Sequence, residues 1–201
     1  RRVMTSVGQL HMLYTCPFCW KVRSLLEHLD IPHERVQVNP LKQRKTLPSS
    51  PEWTKVPVWV DSENSVHVDS TPIMKHIDAT HNDGKLWASD DEERRDEWME
   101  WVDLHFSKGT IPILYGSLGS ALKTTTRVSK LENFGFISKR LYAWAGFPVM
   151  WGIIAKKRVK KDGRTPKKLW HDLLSEFTNQ FGEKNFFGGD APNLVDLAAF
   201  G

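Results

Sequence analysis

Thr15-Cys16-Pro17-Phe18-Cys19 holds the only two cysteines of the 201-residue chain and sets them two residues apart. An apolar run precedes it (Leu10, Met12, Leu13, Tyr14), and apolar residues at helical spacing follow it (Val22, Leu25, Leu26, Leu29). The pattern predicts a strand, a turn and a helix, with the first sulfur at the helix N-terminus. There, unbonded N–H groups and the positive end of the helix dipole favour thiolate over thiol. Thiols in CxxC sites at helix starts titrate at about 3.5–7.5, against about 8.5 for free cysteine. Cys16 is therefore the expected nucleophile. Pro17 suits the first helical turn, because the N–H it lacks would have been orphaned. Cys19, one turn on, is placed to close a disulfide with Cys16 or to resolve a mixed disulfide on it.

Two other uses of a cysteine pair fit less well. A structural zinc site wants four ligands, no second cysteine pair exists, and His11, His28 and His33 lack paired spacing, so no metal ligands are expected. An inert structural disulfide belongs to a wider cysteine framework, which the chain does not have.

Working outward, Pro32 breaks the helix and His33-Glu34-Arg35-Val36-Gln37-Val38 alternates as a strand does, ending at Asn39-Pro40. Residues 41–54 read as an irregular or short helical connection. Lys55-Val56-Pro57-Val58-Trp59-Val60-Asp61 is rich in β-formers, and Ser65-Val66-His67-Val68 is its hairpin partner across Asp61–Asn64. Asp69-Ser70-Thr71-Pro72 opens a helix carrying Ile73, Met74 and Ile77. The order β-α-β-(α)-β-β-α is thioredoxin-like and covers residues 8–80, with a polar linker at 81–90 around Asn82-Asp83-Gly84.

From residue 91 to 201 every legible pattern is helical. Helices are expected over Trp98–Phe106, about 115–130, 136–155 and 166–181, with a last one capped by Asn193. Five apolar residues after Asn193 look too few to hold that last helix. The predicted fold is thus an α/β thioredoxin-like N-terminal domain followed by an all-α domain, read as part of a longer polypeptide. A net charge of +4 and the absence of a nucleic-acid-binding motif argue against specific nucleic acid as a partner. Most of the nine tryptophans read as core.

With Cys16-Pro-Phe-Cys19, Lys21-Val22-Arg23, Val38-Asn39-Pro40 and Lys55-Val56-Pro57-Val58 in place, the chain resembles a glutathione S-transferase with a glutaredoxin-type first domain. More narrowly, it is similar to the membrane-associated prostaglandin E synthase type-2 family. Trp98 to Asp103, Phe106, Pro112, Tyr115, Ala121 and Leu122 carry the resemblance onward. So do Ile137 to Leu141, Phe187-Gly188-Gly189 and Pro192 to Ala198. It implies that the all-α part is the glutathione S-transferase-like C-terminal domain, which in the family continues beyond Gly201.

The resemblance also implies a glutathione site. Val56 would precede a cis-proline, Pro57, and pair its backbone with the cysteinyl part of glutathione. Ser70 and the helix amides would take the γ-glutamyl carboxylate and Asp69 the ammonium. Phe18 would wall the thiolate. The family's tyrosine or basic residue three before the first cysteine is Leu13 here, with Tyr14 as the substitute.

The expected function is that of a glutathione-binding thiol enzyme, an isomerase or thiol transferase acting through Cys16 on an apolar small molecule. The alternative is a non-catalytic structural subunit of a larger assembly, with the mitochondrion as one setting for it; a homodimer or a larger protein assembly is the partner expected in either case. The basic run Lys156–Lys168, following the apolar segment Leu141–Ala155, suggests contact with an anionic membrane surface. The expected setting is intracellular, membrane-associated or mitochondrial.

Overall fold

A computed structural model describes residues 7–39, 43–109 and 163–201, together with Lys123 and Arg127, both helical. The helices expected at about 115–130 and 136–155, and the Leu141–Lys161 stretch with its cations, lie outside the described residues apart from those two positions. No helix among the described residues is long and apolar enough to cross a membrane.

Four strands make one mixed sheet in the order β2-β1-β3-β4. Strand β1 (Gly8–Met12) pairs in parallel with β2 (His33–Gln37) and antiparallel with β3 (Val58–Val60), which forms the hairpin with β4 (Val66–Val68). The parallel pair is joined through α1 (Pro17–His28), and a short α2 (Gln43–Thr46) precedes β3. Helix α3 (Ser70–Asn82) follows β4 directly. This is the thioredoxin-like order read from the sequence.

Period-2 alternation splits the strands between two cores. Leu10, Met12 and Trp59 turn to the face covered by α1 and α3, where they meet Val22, Leu25, Leu26, Ile73, Met74 and Ile77, all essentially inaccessible to water. Val58 turns the other way, to Val38 and Leu47. Gly8 is required on the first face, since a Cβ there would stand 2.3 Å from the Trp59 ring.

The connection to the helical part is anchored. Asp78 of α3 is fully buried, and its carboxylate accepts from the backbone N–H groups of Leu86 (3.2 Å) and Trp87 (2.8 Å) and from Asn82 Nδ2 (2.9 Å). Trp87 is then held between the Lys75 ammonium, 3.8 Å from a ring centroid, and the Arg95 guanidinium at 4.0 Å. Helix α4 (Glu92–Trp101) starts at an Asp91 cap and passes into a π-helical turn, Val102–Phe106. Helix α5 (Pro166–Thr178), capped by Thr165, brings Phe177 to the centre of a ring cluster formed by Trp98, Trp101, Phe106, Phe181 and Phe187.

The last helix, α6 (Leu194–Phe200), corrects the expectation that it is too short to hold. Its stability is tertiary rather than intrinsic. Asn193 and Asp196 form a reciprocal capping box, and Asp196 also accepts from the N–H groups of Phe187 (2.8 Å) and Gly188 (2.9 Å). Leu194 and Val195 are completely buried, and Ser24 Oγ of α1 donates to the Leu197 carbonyl (2.8 Å). The approach is close: a Cβ on Gly201 would meet the backbone of Trp20 and Lys21 at 2.5 Å.

Candidate active site

Cys16 is the N-cap of α1, in extended conformation, with Pro17 at the first helical position. It is half-buried, whereas Cys19 is fully buried, and both are thiols. The Cys16 carbonyl accepts from Cys19 N–H (3.0 Å) and Trp20 N–H (3.2 Å), so the first turn closes directly behind the sulfur-bearing residue. Only Cys16 thus combines access with a position at the positive end of the helix. Tyr14 sits half-buried in the preceding turn, where its carbonyl accepts from Trp20 Nε1 (2.6 Å). Phe18 is half-buried one residue inside α1.

The Val56–Pro57 peptide bond is cis, as expected, and so is Ser50–Pro51, which the sequence reading did not anticipate. Pro57 is buried and Val56 half-buried, at the mouth of β3 and outside the paired register of the sheet. Among the described residues the Val56 backbone makes no hydrogen bond. Tyr14, Cys16 and Val56 each pack against the main core cluster, and Val56 also packs against the smaller one on the other face of the sheet.

At the start of α3 the roles of Asp69 and Ser70 are divided. Asp69 is the cap: its side chain accepts from Ser70 N–H (2.7 Å), and its backbone stands at φ 68°, ψ 137°. A non-glycine residue there carries about 1–3 kcal/mol of strain, which proteins retain chiefly at ligand-holding and switching positions. Ser70 is the first helical residue. It is 1% exposed, and its Oγ has no hydrogen-bond partner among the described residues. Leaving a buried hydroxyl unpaired costs about 1–3 kcal/mol, and an anionic ligand group would remove that cost.

The expectation that several helix amides are available narrows here. The Ser70 amide is taken by Asp69, Pro72 has none, and Ile73 N–H donates to the Asp69 carbonyl (3.0 Å). The Ser70 hydroxyl and the Thr71 amide remain.

What joins the two helix starts are residues that the sequence marks only as carrying the resemblance or opening a helix, with no place in the site. Lys21 is completely buried, pairs with Asp103 of the π-helical turn, and donates to Thr71 Oγ1 (3.0 Å), which in turn donates to the other Asp103 oxygen (3.1 Å). Lys21 follows Cys16 by five residues and Thr71 follows Ser70 by one, so the triad holds the two helix N-termini side by side. Burial pushes the Lys21 ammonium below its ordinary range, while the charge and hydrogen bond of Asp103, and more weakly Asp69, push it back. Lysine reads as surface in a sequence, and only its one-turn spacing from Leu25 hinted at an inward position.

Residues 10–85 match the family described as glutathione S-transferase, N-terminal domain. Over 96% of its length the chain is 25% identical to prostaglandin E synthase 2 of Danio rerio and 26% identical to that of Mus musculus, and it spans 62% of the length of each. Among solved structures it resembles a glutathione S-transferase of Ceriporiopsis subvermispora in complex with glutathione. The TM-score is 0.64 at 16% identity, covering 96% of this chain and 82% of that one. It also resembles the FzlA protein of C. crescentus, with a TM-score of 0.62 at 16% identity, covering 96% of this chain and 75% of that one. In fold the chain has a thioredoxin-like first domain and a helical second one, its first domain matches the glutathione S-transferase N-terminal family, and along its length it is similar to prostaglandin E synthase 2.

Proposed function

We propose that the chain is a glutathione-binding thiol enzyme, an isomerase or thiol transferase, in which Cys16 is the attacking sulfur. The observation that carries this reading is the pairing of two helix starts. One bears the half-buried Cys16, and the other bears a buried Ser70 hydroxyl with nothing to bond among the described residues. An unpaired buried hydroxyl beside a strained capping residue makes sense as a place for a ligand carboxylate.

Glutathione, when bound, supplies a second thiol beside Cys16. The Val56 backbone would pair with its cysteinyl part, the Ser70 hydroxyl and Thr71 amide would take its γ-glutamyl carboxylate, and Asp69 its ammonium. Tyr14 and Phe18 would give the apolar wall. Toward a disulfide or peroxide, Cys16 thiolate forms the new sulfur bond and Cys19 is the resolving thiol.

The name of the curated relatives suggests an endoperoxide as the apolar substrate. Sulfur attack on one oxygen would release the other as an alkoxide, which takes a proton. Removal of the hydrogen on the carbon bearing the sulfur-bound oxygen would then form the ketone and expel the thiolate, with no net redox change.

Contact with an anionic membrane, and with it a membrane-associated or mitochondrial setting, belongs to the same proposal. Of the cations in that basic run, Arg164 pairs with Asp172 at 2.9 Å and Lys168 stands 3.6 Å from it, both on the surface.

Iodoacetamide labelling against pH, with glutathione calorimetry alongside, tests the proposal. A thiol reacting with a midpoint below about 8.5 should vanish in Cys16→Ser and persist in Cys19→Ser. Equal labelling of the two cysteines, or no glutathione binding, would favour the structural-subunit alternative.

A further inference from the structure

At the end of the sheet away from Cys16, three ligating side chains from three elements converge. Strand β1 runs from Gly8 toward the thiol, and Val60 pairs with Gln9 near its beginning, so Asp61, next in the chain, lies at the far edge. Asp61 Oδ1 accepts from the backbone N–H groups of Glu63 and Ser65, both at 2.9 Å, which fixes the carboxylate in the β3–β4 turn. Its other oxygen, Oδ2, stands 2.8 Å from Nε2 of His67 on β4 and 3.7 Å from Nε2 of His76 on α3. His67 is the cross-strand partner of Trp59 and shares its face, turned to α3, so its ring stacks on that of His76 with centroids 3.7 Å apart and planes 22° apart.

A turn lock accounts for part of this. Asp61 with His67 alone would close the hairpin. It does not account for His76, whose Nε2 is aimed at the same oxygen from beyond hydrogen-bonding range. One ligating atom from each residue lies within 4.8 Å of the other two. A tetrahedral ion with ligands at about 2.0–2.2 Å sets them about 3.3 Å apart, so modest side-chain rotations bring all three into place.

We propose that Asp61, His67 and His76 form a binding site for a divalent transition-metal ion of the zinc class. Two imidazole nitrogens and one carboxylate oxygen suit Zn²⁺, Co²⁺ or Ni²⁺ rather than Ca²⁺ or Mg²⁺. The backbone bonds to Oδ1 are the outer-shell support that such a carboxylate needs. Side-chain exposures of 17% for Asp61, 25% for His67 and 33% for His76 give an ion entry from solvent and leave its fourth position to water. The ion would tie the hairpin turn to the middle of α3, remote from the thiol. Neither cysteine takes part, which is why spacing among Cys and His in the sequence does not reveal the site.

Zinc and cobalt titrations of the whole chain test this, with Cys16→Ser and Cys19→Ser as the parent so that thiolates cannot bind the ion. The parent should take up one equivalent of Zn²⁺ with micromolar or tighter affinity, and Co²⁺ should show visible bands without thiolate charge transfer. His67→Gln and His76→Gln should each weaken Zn²⁺ binding at least about tenfold. They should also abolish the rise in melting temperature that Zn²⁺ gives the parent. His76 is the more exposed ligand, so its variant decides the matter if His67→Gln fails to fold, with circular dichroism confirming that His76→Gln is native. Unchanged affinity in a folded His76→Gln, or no saturable Zn²⁺ uptake by the parent, would overturn the proposal.

Discussion

Replacing Ser70 by alanine should separate ligand binding from folding. The hydroxyl is buried with no partner among the described residues, so its removal relieves a cost of about 1–3 kcal/mol in the unliganded protein. Thermal unfolding of Ser70→Ala should therefore occur at the parent temperature or above it. Glutathione affinity measured by calorimetry should fall about tenfold or more, the worth of a hydrogen bond to a charged group. A lower melting temperature with affinity intact would assign the hydroxyl a purely structural role. At this scale the sequence is informative where chemistry is local. Cys16 and Cys19 announce themselves by spacing, and Pro17 fixes which sulfur caps the helix. Asp69-Ser70-Thr71-Pro72 marked only a helix start; that Asp69 does the capping shows in its carboxylate accepting from Ser70 N–H, a contact that a sequence does not carry.

Secondary-structure elements meet through charges that the sequence places on the surface. Lys21 lies on the face of α1 that packs against α3 and the π-helical turn, and its ammonium is shared between Thr71 and Asp103. Lys21→Met removes the cation and strands the Asp103 carboxylate, a change that costs about 3 kcal/mol when the partner is buried and less in proportion to its 28% exposure. The double variant Lys21→Met/Asp103→Leu should recover most of that loss in denaturant unfolding. If the double variant is no more stable than the single one, the pair is not coupled. The strands, α1, α3 and α5 were legible because their apolar residues keep a period of 2 or 3.6. The π-helical turn was not, since Trp98, Trp101, Val102 and Phe106 fit an uninterrupted helix equally well, and the extra residue in the turn shows only in the backbone.

Across the whole molecule the two parts share one core. Leu194 and Val195 of α6 belong to the same buried cluster as Leu25 and Leu26 of α1 and Ile73 of α3. Truncating Leu194, fully buried, should cost about 2–5 kcal/mol. In Leu194→Ala the unmasking of Cys19 to a thiol reagent and the loss of far-ultraviolet helicity should shift together along a denaturant series. Two separate transitions would mean that the thioredoxin-like part stands alone. The sequence placed a linker between two domains but could not reveal this union, because Ser24 acts through a partner far away in the chain and the buried loop contacts of Asp78 and Asp196 leave no periodic pattern.

The bond from Ser24 to Leu197 spans 173 positions, and it has a consequence in time. A ribosome adding about 5–20 residues per second needs about 9–35 s to travel from one to the other. For the later part of that interval the thiol-bearing helix has left the exit tunnel while the segment that packs on it is not yet made. Newborn chains therefore pass through a stage in which the face of α1 that meets α6 is uncovered.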